Sequence, residues 1–172
     1  MVKITGAKAH KARLKRIRGA SMINEVGRAV FAAGEFLTKE AQISITTGAV
    51  SGKNHEPSEP GAPPNNDTGY LASNIRTYKT GPLTAESSSE AEYSAALEGG
   101  SERKAGVTSR SFAGKTAEYG PSKARQGPVR VEFGDSSTPA RPFMQPAAEK
   151  TRKQAQRLVQ AAVKIVANGG SL

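Results

Sequence analysis

Between Ser21 and Ala41 the large and small apolar residues fall three and four apart, at Ile23, Val26, Val30, Ala33, Leu37 and Ala41. That spacing places them on one face of a helix. Ser21 is positioned to cap its start, and Glu25 puts a negative charge near the positive end of the helix dipole. The β-branched stretch Ile43 to Thr47 and then Gly48 should end it. A second helical pattern runs from Pro146 to Ala167. Ala147, Leu158, Ala161, Ala162, Ile165 and Val166 supply its apolar positions, and Lys150, Arg152, Lys153 and Arg157 make its first half basic. Asn168-Gly169-Gly170 follows, residues that tolerate the left-handed backbone of a helix end.

Other periods lie between the two helices. Gly48 to Asp67 holds four prolines and three glycines in twenty residues, a loop longer than a compact domain ordinarily carries without a role. Thr68-Gly69 turns the chain into an apolar step, Tyr70, Leu71 and Ile75, that leads to a strand over Ile75 to Thr80. Gly81-Pro82 is turn chemistry, so Leu83 to Ser88 should return antiparallel as a hairpin. Ala91 to Leu97 reads as a short helix ending at Gly99. Residues 100–128 carry five glycines and two prolines, an insertion that could form a hairpin around Phe112 and Tyr119. Val129, Val131 and Phe133 alternate with Arg130 and Glu132, the period of a half-buried strand. The sum is an α+β fold with a long N-terminal helix, a small antiparallel sheet and a C-terminal helix. Residues 1–20 form a basic arm, helical over Ala9 to Arg18, and residues 21–172 form one domain.

Composition narrows the function. The 172 residues are 36% apolar and 5% aromatic, so the core is modest. There is no cysteine, hence neither a disulfide framework nor thiolate chemistry. No apolar run reaches the ~18 residues of a membrane span, and the basic N-terminus lacks the apolar stretch of a secretory signal. A soluble protein without membrane partners is the expectation. Net charge is +10, and its distribution is uneven. Lys3, Lys8, Lys11, Arg13, Lys15, Arg16 and Arg18 precede the first acid, Glu25, whereas Glu86, Glu90, Glu92, Glu98 and Glu102 crowd the middle. Such a chain can pair head to tail with copies of itself, and its clustered cations suit a phosphate backbone. The plain alternative is a solvated arm that keeps the protein soluble.

Few residues suggest chemistry. Asp67-Thr68-Gly69 matches the aspartic-protease tripeptide but follows a proline loop where the protease has an apolar strand, so a turn explains it better. Gly114-Lys115-Thr116 lacks the earlier glycine and the strand of a phosphate loop. The two histidines, His10 and His55, stand far from any convergent ligand set, and His55 with Glu56 and Glu59 is the only metal candidate. No catalytic, cofactor or metal residues are assigned, and no enzymatic activity is expected.

The most specific signals are three blocks in order: Asp67-Thr68-Gly69-Tyr70-Leu71-Ala72-Ser73-Asn74-Ile75, then Glu92-Tyr93-Ser94-Ala95-Ala96-Leu97-Glu98-Gly99-Gly100, then Ala140-Arg141-Pro142-Phe143-Met144-Gln145-Pro146-Ala147-Ala148. The last should be an extended segment that delivers Phe143 and Met144 as an apolar plug, with Pro146 at the first helical position. In this order and spacing the chain from Ile23 to Arg157 resembles the neck, or tail-completion, proteins of long-tailed phages. Their pattern is a helix, Pro, Thr-Gly-x-Leu-x-x-x-Ile, Tyr-Ala-x-x-x-Glu-x-Gly and Arg-Pro-Phe-x-x-Pro-Ala. The positions that carry the resemblance are Gly69, Leu71, Ile75, Tyr93, Glu98, Glu132, Gly134, Arg141, Pro142, Phe143 and Pro146. Both Glu98-Gly99-Gly100 and Glu132-Phe133-Gly134 resemble the Glu-x-Gly element, so either could be the family's. The resemblance implies a structural virion protein, assembled in the host cytoplasm and placed in the neck. It would form a hexameric or dodecameric ring of its own copies, touch head-connector and tail proteins, and let double-stranded DNA pass. Lys8, Lys11, Arg13, Lys15, Arg16 and Arg18 are the candidate DNA or partner contacts. A freestanding basic nucleic-acid-binding protein is the alternative, although aromatics are not interleaved with the cations as a stacking platform needs. Phe143 either fills its own core or, with Arg141 gripping Glu98 or Glu132 of a neighbouring subunit, joins an interface.

Overall fold

The computed structural model describes residues 6–110 and 129–170, with side chains described for 6–105 and 134–170. The arm is a helix, α1 (Ala7–Ile17), and a tight break at Arg18-Gly19 leads into α2 (Ala20–Thr46). No side chain caps α2. Gly19 takes that place, and Ser21, expected there, lies inside the first turn. The helix ends, as the β-branched run suggests, at Thr46.

After the proline-rich loop come α3 (Tyr70–Ser73), β1 (Ile75–Gly81), β2 (Thr84–Ser89) and α4 (Ser94–Gly99). β1 and β2 pair antiparallel from Ile75 opposite Ser89 to Gly81 opposite Thr84, with one irregularity at Thr80. This hairpin lies on α2 in unusually close contact. Gly27 and Gly34 are seven residues apart, two turns along one helix face. A Cβ on Gly27 would overlap the Pro82 carbonyl oxygen, and one on Gly34 would sit 2.7 Å from Thr77 Cγ2. With the backbones this near, short hydroxyl side chains fill the seam. Thr38 and Thr77 share a hydrogen bond of 2.8 Å, Ser87 Oγ donates to the Gly34 carbonyl at 3.0 Å, and Gln42 Nε2 donates to the Ala72 and Ile75 carbonyls.

The return helix α5 (Met144–Ala167) runs antiparallel to α2. Lys150 pairs with Glu40 near one end, and Ala155 and Val159 lie beside Ala33 and Val30 farther along. One core gathers where α2 ends and α5 begins: Ala41, Ile45, Leu71, Ala72, Ile75, Ala91, Phe143 and Ala147, flanked by Leu97 and Met144. Two of the apolar positions expected on the long helices are exposed. Ile23 is 43% exposed. It shares a face with Gly27 but lies one turn earlier, past the end of the hairpin at Pro82. Ala161 is exposed because it falls on the side of α5 that carries Arg157 and Lys164. The helices and the two-stranded antiparallel sheet make the fold α+β, with the long helices at residues 20–46 and 144–167.

Four further strands form a separate feature. β3 (Ser101–Arg103) pairs with β6 (Ser136–Thr138), and β4 (Gly106–Arg110) pairs with β5 (Val129–Phe133). Ser101 faces Thr138 and Gly106 faces Phe133, the same register carried five residues on, so the two short ladders are one antiparallel ribbon. The strand that follows the insertion expected over about 100–128 is therefore paired with it. The alternating run Val129 to Phe133 belongs to the ribbon's return arm and not to the sheet on α2. A period of two reports a pleated strand, but not what it packs against. Phe112 and Tyr119, and the side chains of Val129, Val131 and Phe133, lie outside the described residues. At the ribbon's base Gly100 adopts φ 73°, and a Cβ there would come within 3.1 Å of the Ala140 nitrogen.

Two outcomes test this architecture. Gly27→Ala gains helix propensity of about 1 kcal/mol, yet the overlap with a backbone carbonyl should outweigh it, for a net loss of about 1 to 3 kcal/mol in urea unfolding. Because Ser101 and Thr138 are cross-strand neighbours, replacing residues 102–137 by an Asn-Gly turn should leave the body folded. Amide spectra of α2, α3 and α5 that match the intact protein would bear this out, and a collapsed spectrum would refute it.

Candidate partner and nucleic-acid interface

The three motif blocks meet at one place. Gly69, at φ 81°, turns the chain into α3, whose Leu71 and Ala72 are buried with the following Ile75. α4 then carries Glu98 to the start of α5. Its Oε2 accepts hydrogen bonds from the backbone N–H groups of Phe143 at 2.8 Å and Met144 at 3.0 Å, and its Oε1 accepts one from Gln145 at 2.9 Å. The next residue is Pro146, which has no N–H. Thus the amides that a helix start leaves unsatisfied are all accounted for, by one carboxylate and one proline. The helix begins at Met144, two residues before the expected start at Pro146, because Glu98 supplies the acceptor that lets those residues turn.

Within its own chain Arg141 binds two backbone carbonyls. Its backbone N–H donates to the Leu97 carbonyl at 2.6 Å and its Nε donates to the Ser58 carbonyl at 2.9 Å, which ties α4 and the proline-rich loop to the α5 approach. Glu98, one of the two acids expected to meet Arg141 of a neighbouring subunit, accepts amides of α5 on both oxygens. Of the two Glu-x-Gly segments, the first therefore meets the Arg-Pro-Phe block. Glu132 faces Val107 on the ribbon and Gly134 is exposed beside it, so the structure does not bring these two to the cluster. Phe143 is 1% exposed, in its own chain's core, with Pro142 half-buried ahead of it.

The proline-rich loop is clasped at its base. Ser51 Oγ donates to the Asn66 carbonyl, the Gly52 N–H donates to Asp67 Oδ1, and the Asn66 N–H donates to the Ile45 carbonyl at the end of α2. Asp67 of the protease-like tripeptide thus closes a loop. His55 Nδ1 lies 3.1 Å from the Val50 carbonyl, and no three metal-ligating side chains converge among the described residues. Gly114-Lys115-Thr116 lies outside them. Between this loop and the motif blocks is a cleft of about 260 Å³, with Tyr70 and Tyr93 on its rim, their ring centroids 6.2 Å apart. Burial pushes the Tyr93 phenol above its ordinary pKa, with Tyr70 and Asp67 adding to the shift.

On α1, Lys8, Lys11, Lys15 and Arg18 fall within one exposed face, with Arg13 exposed on another side. Arg16 points the other way. Its Nη2 donates to the Ala167 carbonyl at 3.2 Å and its guanidinium lies against Gly169, so this exposed residue also links the arm to the end of α5. On α5, Lys150, Lys153, Arg157 and Lys164 share a second exposed face. The sequence shows the cations but not which of them fix the arm. Among the described residues no helix is long and apolar enough to cross a membrane. No protein-family model, curated protein or solved structure compared with the chain matches it.

Truncating the plug, Phe143→Ala, should cost about 3 to 5 kcal/mol, the range of buried aromatic truncations. Glu98→Ala should cost about 1.5 to 3 kcal/mol by removing three charge-assisted bonds, and Glu98→Gln less, because an acceptor oxygen remains. Denaturant midpoints give both values.

Proposed function

We propose that this chain is a structural protein of the neck of a long-tailed phage virion, with no enzymatic role. Copies would form a ring between the head connector and the tail, through which double-stranded DNA passes. The order and spacing of the three motif blocks suggest the class. The observation that carries the role is the cationic face of α1, a helix linked by Arg16 to the end of α5. Lysines and arginines set at helical spacing along a pinned arm attract phosphates without reading bases. A lumen needs that property, since the genome must slide past it.

The test keeps the arm and removes its charge. Lys8, Lys11, Lys15 and Arg18 changed together to Gln leave Arg16 and the apolar side of α1 in place, so the melting temperature should hold. In a phage complemented with this variant, electron microscopy should show fewer DNA-filled heads joined to tails. The salt dependence of DNA binding by the pure protein should weaken by about one unit of log–log slope for each phosphate no longer neutralised. Normal joining together with loss of tight DNA binding would favour a freestanding nucleic-acid-binding protein.

A further inference from the structure

The cleft beneath the proline-rich loop has a composition that its packing role does not require. Leu97, half-buried, gives it an apolar floor, with the core residues Ile45 and Leu71 directly beneath. Above it Tyr70 and Tyr93 remain 51% and 45% exposed, with rings tilted 35° to one another. Arg141 reaches the same space. Its Nε is committed to the Ser58 carbonyl, which fixes the guanidinium plane, and its Nη groups make no hydrogen bond among the described residues. An apolar floor, two amphipathic aromatics and one oriented guanidinium are what a buried anchor side chain and an adjacent carboxylate need.

We propose that this cleft binds an extended peptide segment of another protein, taking one aromatic or aliphatic side chain onto the floor and a neighbouring carboxylate onto Arg141. Size supports a single anchor. At about 260 Å³ the cleft falls below the ~300 to 1,000 Å³ of small-molecule sites. The clasps from Ser51 to Asn66 and from Gly52 to Asp67 hold the wall in place before binding, which lowers the ordering cost. A nucleotide fits less well. The two tyrosine rings are each other's neighbours, at a spacing typical of an aromatic pair, so no slot for a base lies between them. The site stands whether or not the chain belongs to a neck.

Amide and arginine Nε–H spectra of the full chain, titrated separately with N-acetylphenylalanine, N-acetylphenylalaninamide and thymidine monophosphate, test the proposal. The carboxylate should shift Gly69 to Leu71, Tyr93, Leu97 and the Arg141 Nε–H, and bind several-fold more tightly than the amide. Tyr93→Ala, at a half-exposed side chain, should weaken both probes without lowering the melting temperature. Arg141→Gln should abolish the preference for carboxylate, and if it loosens the loop the comparison of the two probes on the unaltered protein still decides. Equal affinity for carboxylate and amide, shifts scattered away from the cleft, or shifts there with the nucleotide alone would overturn it.

Discussion

One carboxylate determines how the two halves of this molecule meet. Glu98 accepts three amides at the start of α5, and those amides belong to Phe143, the largest fully buried side chain among the described residues, and to the two residues after it. The polar and apolar requirements are met in the same place: helix nucleation needs an acceptor for its first N–H groups, and the plug needs the backbone held while its ring is buried. α4 is too short to persist by itself. It is held because Leu97 packs on the core and Glu98 binds α5, so capping and core formation stabilise one another.

The ends of α5 are treated with opposite charge. An anion from α4 sits at its N-terminus and a cation from α1, Arg16, sits at its C-terminus against the Ala167 carbonyl, each favourable to the helix dipole by a few tenths to about 1 kcal/mol. The separation of basic N-terminus from acidic middle therefore has a use within one chain, as well as the head-to-tail pairing it could serve between copies. Two of the charges offered as partner contacts, Arg16 and Glu98, also fasten elements within the chain. What remains for outside contact on the arm is a cleaner surface, since Lys8, Lys11, Lys15 and Arg18 share a face from which the anchoring residue is absent.

Much of the architecture was legible because it rests on local periodicity. The stripe along α2, the Gly81-Pro82 turn and the block Arg141 to Pro146 each carry their own instruction, and helix, hairpin and helix appear close to where the spacing puts them. The failures have a common cause: they depend on what lies opposite. Ile23 fits the stripe but is left 43% exposed. Taken alone, Gly27 and Gly34 only lower helix propensity, whereas in the fold they are where a hairpin approaches too closely for any side chain. Val129 to Phe133 has a strand's alternation yet belongs to a ribbon whose base closes at Ser101 and Thr138. The cleft was not visible at all, because Tyr70, Tyr93 and Arg141 come from three separate segments and only the clasped loop makes them neighbours.

That loop shows why long irregular segments can be rigid. Four prolines restrict its backbone, Pro64 is buried, and the clasps at Ser51, Gly52 and Asn66 close it near the end of α2. Arg141 then bonds its far side through Ser58, and the Gly61 N–H donates to the Ala140 carbonyl. The arginine next to the plug thus fixes the wall of the cleft while the residue two positions later fills the core. A change at Phe143 would reach the cleft through backbone it shares with Arg141, whereas a change at Tyr93 would alter the rim and leave the plug in place.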